Sequence, residues 1–524
     1  MGFTARALSL FLAIQAGLLR AQELGSPFIR NFTPKEYGAD SQNWAVVQGP
    51  RGVVYAGNNQ GVLTYDGVGW RLIRTPGRST VRSLAEDADG RIFVGAVGEL
   101  GYLAPDPAGW MAFVSLADKL PADARTFSDV WTTRATSRGM LFQTREELLL
   151  YDGQRFQVWK ASTTFHVAFA VGDRIFVRER EAGLEELVGD HLELLHGGER
   201  FAHESVFAML PLDGAILVAS RNLGLWRLTE KGLEPFPTEA DAFLKSAAIY
   251  GGTPLPDGTF ALASIQGGVV VMDGSGRVKL VLDQASGLQG DNVKAVFPDG
   301  HGSLWLALDN GLARVEWPSP FTAMDERNGL KGTVWAMTRH QGRLFAATGQ
   351  GTYALDAALQ GGRPMFQPVA NTQTQSLAFL EADGHLLLAN SRGVFEILGG
   401  TAVPVRPSSN VAISLLRSRR DPSRVFVGLQ GGLASMRWAN GRWLDEGPIP
   451  GVKDDIYSMA EDGQGRLWLG TGAQGALRAT FLPGWSGGAA SPPPQVDHFG
   501  EAQGLPPNQV YAVSMPEGPV FATH

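Results

Sequence analysis

The feature that most limits what this chain can fold into is an internal repeat. Three segments superimpose directly: DADGRIFVGAVGELGYL from Asp87, DGHGSLWLALDNGLARV from Asp299 and DGQGRLWLGTGAQGALRA from Asp462. Each reads as an acidic turn with Gly, a short apolar strand with an early aromatic, a polar turn ending in Gly, and a second apolar strand. A strand of similar pattern lies upstream of each (VRSLAED, NVKAVFPD, IYSMAED). A fourth piece ending in an aromatic follows several of them, as in YDGVGWRLI at 65–73, YDGQRFQVW at 151–159 and NGRW at 440–443. The turn marker recurs at Gly52, Gly90, Gly139, Gly172, Gly214, Gly258, Gly302, Gly342, Gly384, Ser423, Gly465 and Gly518, a mean period of 42 residues.

Four strands of about five residues with their turns occupy 40–45 residues, the length of one propeller blade. A β-helix would need shorter coils, and a sandwich would not keep so regular a period. The expected fold is therefore all-β: tandem seven-bladed β-propellers of four-stranded blades, the second incomplete. Composition agrees. Gly contributes 66 of the 524 residues, apolar residues 44% and charged residues only 19%, which suits many turns around a large core.

Ring boundaries are expected from a second repeat. SPFIRNF begins at Ser26 and SPFTAMD at Ser319, 293 residues apart, or seven periods. Each segment is expected to supply the outer strand that closes the seventh blade of its own ring, because an open sheet edge invites aggregation. The first ring is expected over 26–318. The second is expected over 319–524, truncated after about 4.5 blades, since the last repeat, QVYAVSMPEGPVFATH, stops after two strands. This points to a portion of a longer protein. Residues 1–21, with Arg6 ahead of an apolar stretch from Ala7 to Leu19, read as a signal peptide. With no Cys there is neither a disulfide framework nor a thiolate metal site. The net charge of -7 without long basic runs argues against a nucleic-acid partner.

These repeats resemble the two-component regulator propeller family, the periplasmic sensor regions of bacterial receptors that include hybrid two-component systems. The likeness rests on the recurring (D)xxGxLWφGT turn and strand, clearest in EDGQGRLWLGT from Glu461 to Thr471, and on the opening SPFIRNFTPKEYG…QNWAVVQ…GVVYAGNNQGVLTYDGVGWRLI. It spans essentially all of 26–524. In such receptors two seven-bladed propellers precede a small β-sandwich, one transmembrane helix and a cytoplasmic output module, commonly a histidine kinase and sometimes a diguanylate cyclase or phosphatase. The resemblance implies an exported, periplasmic ligand-sensing ectodomain fragment, tethered in its parent by a C-terminal helix and homodimeric in the full receptor. The alternatives are a secreted polysaccharide lyase or glycosidase on a propeller, and a protein-interaction scaffold.

Catalysis finds little support in the residues. The DxG turns also resemble the Asp boxes of sialidases, but they recur in every blade and cannot mark one active site; capping of the turn by Asp is their expected role. A sialidase would further need an arginine cluster and a Tyr nucleophile. His191, His196 and His203 fall close together but match no metal-ligand spacing. No catalytic residue, cofactor or metal is expected.

Ligand capture remains. In a propeller the turns from second to third strand gather at one end, around the channel mouth, where convergent polar groups make the default binding site. The candidates there are Asn58, Asn59, Arg145, Arg178, Arg221, Asn222, Gln266, Asp309 and Asn310, the two arginines Arg178 and Arg221 foremost because turn formation does not explain them. Their types suit hydroxyl and carboxylate recognition in a small or oligomeric ligand, a glycan among the options. Aromatics at the first strands, Trp44, Trp131, Phe207, Tyr250 and Trp335, could stack on sugars, although their repetition favours packing between blades.

Overall fold

A computed structural model describes residues 25–360, 363–488, 491–505, 508–515 and 518–523. The expected signal peptide lies outside the described residues. The chain divides into two compact units, Ser26–Ala323 and the residues from Met324 onward.

The first unit holds seven antiparallel four-stranded sheets, each running first to fourth strand in sequence order except the last. Blade one uses Asn43–Gln48, Val54–Asn58, Gly61–Tyr65 and Trp70–Ile73, and the following blades repeat the scheme. The first strands touch in cyclic order, and that of blade seven, Val293–Pro298, returns to Asn43–Gln48. The ring is thus closed, with its first strands around the channel. Its apolar core is divided into seven clusters, each shared by two adjacent blades. Val47, Tyr55 and Val62 of blade one, for instance, pack with Leu84, Ile92 and Val94 of blade two. This is why the strands read as continuous apolar runs: both sheet faces are covered.

Closure comes from the N-terminal segment. Ile29–Phe32 pairs antiparallel with Gly311–Glu316 as the outer strand of blade seven. Phe32 is 2% exposed. Its ring lies 5.3 Å from both Tyr65 and Trp70 of blade one and is stacked 5.4 Å from Trp305 of blade seven. Asn31 and Asn43 add donations to the carbonyls of Gly287 and Gly311.

The second SPF segment behaves differently. Residues 319–325 form no strand, Phe321 is 72% exposed, and Ala323 instead exchanges both backbone hydrogen bonds with Ser26. That exchange draws 319–323 into the first unit, so the boundary falls five residues beyond the expected 318. The physical reason is pairing: among the described residues of the second unit, every third strand of a four-stranded sheet already has its own fourth strand. That unit comprises four four-stranded sheets between Val334 and Phe499, followed by the hairpin Val510–Met515 with Gly518–Thr523.

The repeated turn performs the expected capping. The Asp299 carboxylate accepts the His301 and Ser303 N–H groups, and Asp462 accepts those of Gln464 and Arg466. Gly302 and Gly465 supply the positive φ, 79° and 76°, that the turn requires. The early aromatic of the next strand reaches back: Trp305 and Trp468 donate Nε1–H to the second oxygens of Asp299 and Asp462 at 3.1 and 2.9 Å.

Candidate functional site

The first strand of nearly every blade breaks its register once, near its start. In the first ring the shifts fall at Asn43/Ala45, Val81/Ser83, Phe165/Ala168, Val206/Ala208, Ile249/Gly251 and Val293/Ala295. Such a bulge frees a residue from the ladder and re-aims its side chain. The freed residues are Trp44, Arg82, His166, Phe207, Tyr250 and Lys294. Trp131, just ahead of Thr132–Thr136, holds the matching place in blade three and donates its N–H to Gln143. Because first and second strands are antiparallel, these residues stand at the same end as the turns from second to third strand.

They meet across blades. Arg82 of blade two lies between the indoles of blades one and three, 3.9 Å from the centre of the Trp44 ring and 4.8 Å from that of Trp131. The two indoles are themselves 6.2 Å apart, edge to face. Arg82 Nε donates to Asp129 at 2.7 Å, and its Nη1 is buried with no acceptor among the described residues. Lys294 of blade seven lies 4.7 Å from the Tyr250 ring and 5.3 Å from Trp44. Tyr250 stacks on Phe207 at 5.4 Å, Arg221 covers Phe207 at 4.1 Å, and the His166 ring meets Phe207 edge-on at 4.9 Å. Cations resting on ring faces in this way gain about 0.5–2 kcal/mol each.

The electrostatics reflect crowded positive charge. Burial pushes His166 down to about 4, with Arg178, Arg221 and Arg145 acting in the same sense against a hydrogen bond to the Val206 backbone. Histidine here is neutral at physiological pH. Burial lowers the Lys294 ammonium, Asp309 opposes this, and Arg221 and Arg82 add to it. Burial raises the Tyr250 phenol, while Arg82 and Arg221 pull it back. Arg134, three residues beyond Trp131, is exposed to solvent, yet the surrounding protein pushes its guanidinium down.

The residues singled out from the sequence divide into three groups. Asn59, Arg221 and Asp309 belong to the mouth: Asn59 Oδ1 accepts the Trp44 indole N–H at 2.8 Å and so orients that ring, and Asp309 accepts from Gln42. Asn58 and Arg178 are scaffold. Asn58 is buried and donates to the Asp40 and Gln42 carbonyls and to Asn43 Oδ1. Arg178, only 6% exposed, donates to the Phe201 and Ala202 carbonyls at 2.9 and 2.5 Å, tying down the turn after blade four. Arg145, Asn222, Gln266 and Asn310 are exposed on the turns, where Asn222 bonds Glu204.

Arg82, Asp129, His166 and Lys294 escaped the sequence analysis. For Arg82, His166 and Lys294 the signal was positional, second place in a first strand, with different chemistry in each blade; Asp129, ahead of the blade-three strand, is marked only by its pairing with Arg82. The aromatic set was visible, but its members contact one another and the cations at the mouth. Trp335 lies in the second unit, 55% exposed. A separate groove of about 920 Å³ opens at the other end of the first ring, lined by turn residues such as Asp213, Gly214, Leu255 and Gly258. It brings together no comparable set of unpaired cations and ring faces.

Residues 451–473, which contain the Asp462 turn and the strand Leu467–Thr471, match the family described as Two component regulator propeller. No curated protein matches the chain significantly. Among solved structures it is similar to an extracellular domain assigned to a hybrid two component system of B. thetaiotaomicron, with a TM-score of 0.70 and 14% identity, over 94% of this chain and 69% of that one. A second such domain from the same organism gives a TM-score of 0.44 at 11% identity, over 94% and 69%. A catalytically inactive virginiamycin B lyase from Staphylococcus aureus with quinupristin gives 0.43 at 10% identity, over 55% and 99%. The first of these likenesses establishes a shared fold. No helix among the described residues is long and apolar enough to cross a membrane.

Proposed function

We propose that this chain, a two-component regulator propeller by the repeat it carries, is the periplasmic ligand-sensing part of a bacterial transmembrane signal-transduction receptor, and that the ligand binds at the mouth of the first ring. The observation that carries this reading is the convergence of freed first-strand residues from six blades, with Trp131 in the matching place of the third. A bulge repeated for packing alone would not need the cations Arg82 and Lys294 gathered around one axis with two indoles and a phenol. Aromatic faces flanked by polar groups suit a ring-shaped ligand, and a glycan fits that description.

Signal transmission requires the ligand to favour one of two arrangements of the receptor, most simply two packings of a homodimer. The chain binds and does not itself catalyse. The mouth lacks a nucleophile placed beside a general base, and His166, with its pKa about 4, is poorly matched to proton transfer near neutrality.

A screen of soluble ligands by thermal shift tests the proposal. A true ligand raises the unfolding temperature of the full chain and loses that effect in Trp44→Ala and Tyr250→Ala. An equal shift in wild type and both variants places the ligand elsewhere. Cleavage of a polysaccharide by the purified chain would overturn the non-catalytic reading.

A further inference from the structure

We infer that the first-ring mouth selects a monoanion: a ring compound bearing one carboxylate, seated at the aromatic cluster of Trp44, Phe207 and Tyr250 with its charge met by Lys294 and Arg221. The inference rests on the sensing role proposed for that mouth.

The second unit supplies an internal control. Its first strands break register at the same place, Val334/Ala336, Ser376/Ala378, Ala412/Ser414 and Ile456/Ser458. The residues freed there are Trp335, Leu377, Ile413 and Tyr457. None is charged, so the bulge itself does not ask for a cation. Arg82 and Lys294 are features of this mouth and not of the fold.

Charge pairing separates the cations. Arg82 is spoken for by Asp129 at 2.7 Å. Neither Lys294 nor Arg221 has an ion-pair carboxylate within 4.0 Å among the described residues; Arg221 bonds only the Ile249 carbonyl, at 3.3 Å. Both are half-buried, and they repel each other at a site where the dielectric is low. A bound anion relieves that repulsion. The pairing also sets its size. Lys294 and Arg221 match the two oxygens of one carboxylate, while Arg82, already paired with Asp129, offers no third partner for a dianionic phosphate. Each free cation lies over an aromatic face, 4.1 Å from Phe207 for Arg221 and 4.7 Å from Tyr250 for Lys294. A ligand whose carboxylate is attached to a flat ring can use both contacts at once.

Calorimetric titration of the full chain with matched pairs tests this. Glucuronate against glucose and benzoate against benzyl alcohol separate a sugar source from an aromatic one, and phenyl phosphate stands for the dianion. The expected result is one acid binding at least about ten-fold more tightly than its neutral partner, with affinity falling as salt rises. That preference disappears in Lys294→Met and Arg221→Gln but survives in Arg221→Lys, with unfolding temperatures unchanged. Equal affinity within the pairs, tighter binding of the phosphate, or no saturation by either acid at roughly 50 mM overturns the inference. Should a neutral member bind and Trp44→Ala abolish it, the mouth stands as the ligand site and only the charge selection falls. Should an acid bind equally well to all these variants, the site lies elsewhere and both readings fall.

Discussion

Replacing Phe32 by Ala should loosen the closure of the first ring more than any other single change in its N-terminal segment. The side chain is 2% exposed and wedged among Tyr65, Trp70 and Trp305, with ring centres 5.3–5.4 Å away. Truncating a buried Phe costs about 3–5 kcal/mol. The stacked contact with Trp305 places the loss near the middle of that range, since the two edge contacts and the stack vanish together. For a unit of this size about 4 kcal/mol lowers the melting temperature by roughly 8 °C. Phe28, four residues earlier, is 47% exposed, and Phe28→Ala should cost under about 1 kcal/mol. Trp70 and Trp305 report on the cluster directly, so urea titration followed by tryptophan fluorescence reads the opening. Were Phe32→Ala to lose less than about 1 kcal/mol, or no more than Phe28→Ala, the closing strand would not be what holds blades one and seven together.

Other outcomes follow from the same structure. Asn58→Ala removes a buried amide whose two N–H groups are shared among the Asp40 and Gln42 carbonyls and Asn43 Oδ1 and should destabilise the ring by about 2–3 kcal/mol in chemical denaturation. Arg178→Met should cost about 2 kcal/mol by orphaning two carbonyls while leaving the affinity of any mouth ligand unchanged in titration at a temperature where the variant is folded. Glu185 is pushed up from 4.5 to about 7, first by burial and then by neighbouring Glu179. The folded state therefore holds a proton that the unfolded state releases near 4.5, so this contribution to stability is present below that pH and is lost as pH rises through 7. Denaturation midpoints at pH 5 and pH 8 should accordingly differ less in Glu185→Gln than in wild type.

What could be read in the sequence was local and repeated. The Asp462 turn announces itself because one carboxylate accepts N–H groups two and four residues away, and the geometry recurs at Asp87 and Asp299. Closure by Ile29–Phe32 was legible because SPF occurs twice at a separation of whole blades. The second copy misled for a physical reason: a strand needs a free neighbouring edge, and similarity of sequence carries no information about which edges are occupied. The site was only half legible. Turn residues mark the right end of the ring, but nothing in the letters distinguishes Arg178, folded back onto carbonyls, from Arg221, laid over a phenyl ring. The first-strand bulge was invisible because it is a relation between two strands. Once it is known, Trp44, Arg82 and Lys294 fall into one class despite sharing no chemistry.

The paired backbone bonds between Ser26 and Ala323, 2.8 Å in each direction, bring the entrance and the exit of the first ring side by side. A unit whose two ends already touch can be lifted out of one chain and set into another without stretching its host. It can also be cut at an exposed turn and rejoined across 26 and 323, the circular order of blades being preserved. The first ring is in this sense a cassette, delivered between two neighbouring points of a longer chain, and its seven-fold cycle has no privileged starting blade beyond the one that Phe32 happens to seal.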